Sequence, residues 1–189
     1  MAKYESLSIF IDGGFLEKVF NRLGEPRIDY LSLYNWISDK VGVPRLRTYY
    51  YHCLPYQGDP PSNEERARFA KKQRFFNKIS SLPRSEVRLG SLAYRGRSED
   101  KTPIFEQKKV DVLMALDIAR SAFEQRVTHI VIISSDSDFV PAIQMAKDKG
   151  IVSFLLYSDE IKPHHDLIEA CDEVINIRPN NLQEMELKI

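Results

Sequence analysis

Long apolar runs are missing from this chain: no stretch approaches the roughly 20 residues that a membrane-spanning helix needs, so no membrane association is expected. Cysteine is almost absent as well. Cys53 and Cys171 are far apart and lie in apolar settings, which argues against a disulfide framework or a zinc site and for two buried thiols. The apolar core of a secretory leader is also missing, since a strand-like run begins at Leu7, and a cytoplasmic protein is the expectation. Nor is there an excess of one charge: lysine plus arginine and aspartate plus glutamate number 27 each.

That balance hides an asymmetry. Residues 1 to 61 carry seven basic and seven acidic side chains, residues 62 to 109 thirteen and six, and residues 110 to 189 seven and fourteen. A cationic middle beside an acidic C-terminal part is what an acidic metal site next to a cationic substrate face looks like, although two solvated, mutually neutralising surfaces would give the same count. With 189 residues, 43% hydrophobic and 29% charged, the chain has the composition of an ordinary globular protein with one core. One domain over 1–178 is expected, followed by a polar tail, 179–189, that frays.

What is present is a strongly β-branched run, Ile130-Val131-Ile132-Ile133, ending in Ser134-Ser135-Asp136-Ser137-Asp138-Phe139. Such a run reads as a strand buried on both faces, hence a central parallel strand, and ligands of open α/β sheets bind at the carboxyl ends of strands. Asp136 and Asp138 precede a helix that Pro141 helps to start, so a cap and a first-turn acid are the bland account of both. A second stretch, Leu7-Ser8-Ile9-Phe10-Ile11-Asp12-Gly13-Gly14, also ends an apolar strand in a carboxylate. If both strands are central in one sheet, Asp12, Asp136 and Asp138 converge on one edge. Carboxylates brought together repel, so such a cluster holds a cation or shares protons, and all-oxygen ligands favour Mg2+ or Mn2+.

The rest alternates between helix and strand patterns. Helices are predicted over Phe15 to Leu23 and Tyr30 to Lys40, the second capped by Asp29, and a strand over Arg45 to Cys53. Ser62 and Glu65 form a capping box that opens a basic helix to Ile79, carrying Arg66, Arg68, Lys71, Lys72, Arg74 and Lys78 interleaved with Phe69, Phe75, Phe76 and Ile79. A strand is expected from Glu86 to Tyr94, then a charged loop, Arg95 to Pro103, whose guanidiniums suit phosphate oxygens. Lys108 and Lys109 lead into an apolar helix that begins with Asp111. Asp117 lies about 240° around that helix from Asp111, so only one of them faces a common site. A helix to Lys149, a strand from Ile151 to Tyr157, a short helix at Asp166 to Ala170 and a strand from Glu173 to Ile177 complete the pattern. His52 beside Cys53, and His164 beside His165, have no spacing that supports a metal site.

Three motifs read together, Phe10-Ile11-Asp12-Gly13-Gly14, Lys109-Val110-Asp111-Val112 with Ala115-Leu116-Asp117, and Ser134-Ser135-Asp136-Ser137-Asp138-Phe139-Val140-Pro141, resemble the NYN domain, the LabA-like branch of the PIN-like nucleases. The ending Leu167-Ile168-Glu169-Ala170-Cys171-Asp172-Glu173-Val174-Ile175 extends the resemblance over nearly the whole chain. It implies an α/β, Rossmann-like three-layer fold with a mainly parallel sheet flanked by helices, and metal-dependent hydrolysis of RNA phosphodiester bonds. By motif position the ligands and catalytic acids would be Asp12, Asp111 and Asp136, completed by Asp138, with Gly13, Ser134, Ser135 and Ser137 around them. The chain departs from the family at Gly14 or Phe15, where Asn is frequent, and at Ser135, where Gly stands.

The expected partner is RNA, or another single-stranded nucleic acid, with Arg95, Arg97, Lys108 and Lys109 on its phosphates. A rival reading is a catalytically weak or inactive module that binds RNA or metal and acts through a partner or as a homodimer. A haloacid-dehalogenase type phosphatase also begins with a strand ending in Asp, but Gly14 stands where its second acid belongs.

Overall fold

The computed structural model describes residues 4–97 and 103–187; of residues 93–95, 97 and 103–108 it describes the backbone alone. Six strands form one parallel sheet: β1 (Leu7–Asp12), β2 (Arg45–His52), β3 (Ser85–Leu89), β6 (His129–Ile133), β7 (Val152–Tyr157) and β8 (Glu173–Asn176), in the order β3-β2-β1-β6-β7-β8. The predicted α/β fold with a mainly parallel central sheet is what forms. Between β3 and β6 the chain adds an antiparallel hairpin, β4 (Ser91–Arg97) with β5 (Pro103–Lys108). The helices are α1 (Gly13–Arg22), α2 (Tyr30–Val41), α3 (Asn63–Ser81), α4 (Val110–Phe123), α5 (Val140–Asp148), α6 (His165–Ala170) and α7 (Pro179–Gln183).

Period-two alternation in the central strands splits the core into two layers. Leu7, Ile9 and Ile11 of β1, with Val131 and Ile133 of β6, face the layer built by Phe15, Leu16, Leu33, Tyr34, Phe76 and Ile79 of α1, α2 and α3. Phe10 of β1, with Ile130 and Ile132 of β6, faces Met114, Ile118, Ile143 and Leu167 of α4, α5 and α6. Both faces are covered, which is why these strands read as unbroken apolar runs. No helix among the described residues is long and apolar enough to cross a membrane.

Three segments differ from the sequence expectation. The strand expected over Glu86 to Tyr94 is two strands, because β3 ends at Leu89 against β2, and after Gly90 the chain leaves the sheet as β4. Of the expected loop from Arg95 to Pro103, residues 95–97 and 103 are hairpin backbone, and residues 98–102 lie outside the described part. The described part of the tail expected to fray, residues 179–187, is packed on the fold. Leu182 and Met185 are buried against the α1–α2 side, the Asp29 N–H donates to the Met185 carbonyl at 2.8 Å, and the Leu187 N–H donates to the Arg27 carbonyl at 2.8 Å. Two apolar anchors in a polar stretch suffice, because both are buried in the same core layer as α1 and α2. Leu182→Ala is expected to cost about 2–4 kcal/mol in denaturant unfolding, the range for a fully buried leucine, whereas a frayed tail would show no change.

Candidate functional site

The order of the strands creates the site. From β1 the chain moves outward to β2 and β3, then returns across the sheet through α4 to lay β6 on the other side of β1. Connections leave β1 and β6 in opposite directions, so a crevice opens beyond their carboxyl ends. Asp12 is the last residue of β1, and register pairs Ile11 with Ile133, so Ser134 follows directly opposite Asp12 and Asp136 lies two residues further. A crossover helix runs against its parallel strands, which brings the start of α4, with Asp111 as its second residue, to the same edge.

Two of the acids have a local structural duty that leaves one carboxylate oxygen to spare. Asp12 caps α1, its Oδ1 accepting from the Phe15 N–H at 3.1 Å. Asp136 opens the short 3-10 turn Ser137–Phe139, its Oδ1 accepting from the Asp138 N–H at 2.9 Å. Ser134 is fully buried and its Oγ accepts from the Asp136 N–H at 3.3 Å. Asp138 is exposed, and Phe139, 1% exposed, anchors the turn beneath it. The capping account of Asp136 is therefore correct, and it occupies one carboxylate oxygen.

Electrostatics join the four acids. Burial raises the Asp111 carboxyl above the usual carboxylate range, and the charges of Asp12, Asp136 and Asp138 raise it further. Asp12 is also raised, mainly by burial, with the Phe15 and Gly14 N–H groups and the charges of His52 and Lys18 acting against that rise. Among the described residues no three His, Cys, Asp or Glu side chains are grouped tightly enough to form a metal cage. Mg2+ seldom needs one, since it is held by one or two carboxylates plus water and substrate phosphate. Mutually repelling carboxylates, of which Asp12 and Asp136 each keep one oxygen outside their caps, have the donor chemistry for such an open site.

Lys109 lies just ahead of α4 with a left-handed φ of 73° and an exposed side chain, and α4 has no side-chain cap. The side chains of Arg95, Arg97 and Lys108, expected to bind phosphate, lie outside the described residues. Asp117 is elsewhere, as its helical angle requires: its Oδ2 accepts from the Tyr51 hydroxyl at 2.8 Å and stands 3.6 Å from Arg88 Nε. Ser135 offers its carbonyl to the His164 N–H at 3.1 Å, and His164 caps α6. Gly13 is required by packing: a Cβ there would lie 2.6 Å from Tyr50 Cζ and 2.8 Å from His52 Cδ2, so these rings set how closely α1 approaches β2.

A neighbouring constellation had no sequence signature. Glu17 on α1 accepts from His52 Nε2 at 3.2 Å and forms a short ion pair with Lys72 of α3. On the other side of the ring, His52 Nδ1 lies 2.7 Å from the Cys53 backbone nitrogen and 2.9 Å from the Cys53 carbonyl oxygen. Burial raises the Glu17 carboxyl, but the bonds from His52 and Lys72 outweigh it and hold the group below its ordinary range. Residues 17, 52 and 72 meet only through the packing of α1 and α3 on β2; the sole hint was an aromatic stripe on a basic helix.

A parallel α/β sheet with acids gathered at its switch point defines a class of hydrolytic and phosphate-handling proteins. Within that class, the family model for the NYN domain matches residues 6–178, and the chain belongs to that family, which is grouped with the PIN-like nucleases. The crystal structure of a Vibrio parahaemolyticus protein of unknown function is similar in fold, with a TM-score of 0.64 at 16% identity over 99% of both chains. A search of curated proteins finds no match.

Asp111→Asn removes one of the repelling charges and keeps the shape. A carboxyl whose folded pKa is raised disfavours folding above that pKa and is harmless below its unfolded value. The variant is therefore expected to be more stable than wild type by about 0.5–1 kcal/mol at pH 7 in EDTA, a gain that shrinks as pH falls through the carboxylate range. Thermal unfolding at pH 7 and pH 4 measures it. Gly13→Ala, in contrast, is expected to lose about 1–3 kcal/mol at either pH.

Proposed function

We propose that the chain is a divalent-metal-dependent ribonuclease of the cytoplasm, hydrolysing RNA phosphodiester bonds at the edge where β1, β6 and α4 meet. The observation that carries this reading is the raised Asp111 carboxyl, pushed up by burial and then by Asp12, Asp136 and Asp138. Asp12 and Asp111, both held above the usual carboxylate range beside further acids, are what a cation-dependent site requires. The residues that would hold Mg2+ or Mn2+ are Asp12, Asp111 and Asp136, with Asp138 at the rim. A bound ion would supply positive charge to the scissile phosphate and acidify water there.

The chain's own residues do the rest. Capping bonds fix one oxygen of Asp12 and one of Asp136, so both carboxylates are oriented before any ligand arrives. The Ser134 hydroxyl beneath Asp136 holds the loop that carries it. Lys109 offers a cation to the flanking phosphates, and its left-handed backbone turns the chain into α4 so that Asp111 meets the crevice. The fixed, carboxylate-lined crevice needs no side-chain nucleophile.

The lack of a tight three-acid cage among the described residues favours one rival, a module that binds RNA or metal with little turnover. Cleavage of an RNA containing single-stranded and hairpin parts, in Mn2+, Mg2+ and EDTA, separates the two. Wild type is expected to cut only with a divalent ion, and Asp12→Asn and Asp136→Asn to lose at least about 100-fold in rate. Asparagine still caps a helix, so the loss would not reflect unfolding. If neither wild type nor variants cut, while wild type alone binds Mn2+, the binding module is the correct account.

A further inference from the structure

Beside the acid crevice lies a cavity of about 500 Å³ whose chemistry differs from it. One wall is apolar, formed by Phe75 of α3, Leu92 of β4 and Pro55, and at the rim stand the exposed cations Arg68 and Lys71. Residues 68, 71, 72 and 75 recur at helical spacing, so one face of α3 supplies both the ring and the charges. The floor is closed by Glu17, His52 and Lys72. Both Glu17 oxygens are engaged, one by His52 and one by Lys72, and Lys72 also lies over the Phe75 and Phe76 rings at 5.5 and 5.4 Å. The Glu17 and Lys72 charges cancel, so the floor carries no net negative charge. Two positive charges at the rim remain uncompensated by the floor.

Position adds to chemistry. Register pairs Asp12 with Tyr51, and His52 is the next residue, so the cavity floor abuts the strand end that carries Asp12. Glu17 stands five residues after Asp12, about 7.5 Å along α1. That is the scale of one nucleotide step along a strand.

We propose that this cavity seats the nucleotide adjacent to the scissile phosphate of an RNA strand, its base against Phe75 and Leu92 and its phosphate held by Arg68 and Lys71. The inference rests on the nuclease reading for the identity of the neighbouring site. Apolar walls with a ring suit a base of any identity, because every base has a π-face, and two cations suit one phosphodiester with its neighbour. The cavity therefore confers strand binding with little sequence preference, and it accounts for the cationic middle of the chain lying next to its acidic part.

The test is binding of a fluorescently labelled RNA hexamer, by anisotropy in EDTA, where no metal-dependent cutting intervenes. Arg68→Ala with Lys71→Ala is expected to weaken binding at least tenfold and to flatten the dependence of log affinity on log salt by about 1.4, the value for two lost phosphate contacts on a single strand. Phe75→Leu, which preserves apolar packing, is expected to weaken binding about fivefold or more with the salt slope unchanged, and an abasic hexamer to bind wild type no better than this variant binds RNA. Arg66→Ala with Arg74→Ala, on the same helix but outside the cavity, serves as control and should stay within about twofold of wild type. Equal loss from the control pair would mean a diffuse basic surface and would overturn the proposal, as would wild-type affinity in the Arg68/Lys71 variant. Because the readout needs no cleavage, failure of the nuclease reading and failure of this one give different results: the first leaves the binding pattern intact, the second leaves the metal-dependent rate.

Discussion

The pairing of β1 with β6 is the constraint on which the molecule turns. These two strands are parallel and central, yet the chain leaves them toward opposite halves of the sheet, β1 toward β2 and β6 toward β7, so a crevice opens beyond their ends. Burial of both strands on both faces fixes their register, because a one-residue slip would turn Ile9 and Ile11, or Phe10, out of their layers. The same register sets Asp12 opposite Ser134. The acid crevice is thus a geometric consequence of the hydrophobic core, positioned by the side chains least involved in chemistry.

Around that crevice the protein separates two kinds of electrostatic work. On the α4 side, acids repel one another and Asp111 is held above its ordinary range, a stored instability that a cation would relieve. On the α1 and α3 side, Glu17, His52 and Lys72 satisfy one another and hold Glu17 below its range. The first arrangement is expensive and unsatisfied; the second is closed. Functional sites are commonly of the first kind and their supports of the second. Gly13 stands between them, and its missing Cβ lets α1 approach Tyr50 and His52 closely enough for both arrangements to share one sheet edge.

Family membership and a fold shared with a Vibrio parahaemolyticus protein over 99% of both chains agree with this architecture. The C-terminal segment adds something the motifs do not describe. Leu182 and Met185 fasten it beneath the α1–α2 connection, next to the helix whose first turn carries Gly13 and follows Asp12.

Much of the fold and part of the site were legible in the residues alone. Pure β-branched runs announce strands buried on two faces, and helix stripes with their caps at Asp29 and Ser62 announce what covers them, because burial and capping act within a few residues. Carboxylates placed just after two such strands, and at the mouth of an apolar helix, mark Asp12, Asp136 and Asp111 as candidates for the same reason. What only the tertiary structure decided are the meetings between distant segments. Leu182 and Met185 look polar by neighbourhood until the cavity that receives them exists, Gly90 reads as part of one strand until two sheets compete for its flanks, and Glu17, His52 and Lys72 carry no signal until α1 and α3 pack on β2. Local propensity sees a few residues; a side chain's partner across the core is chosen by how whole layers fill space.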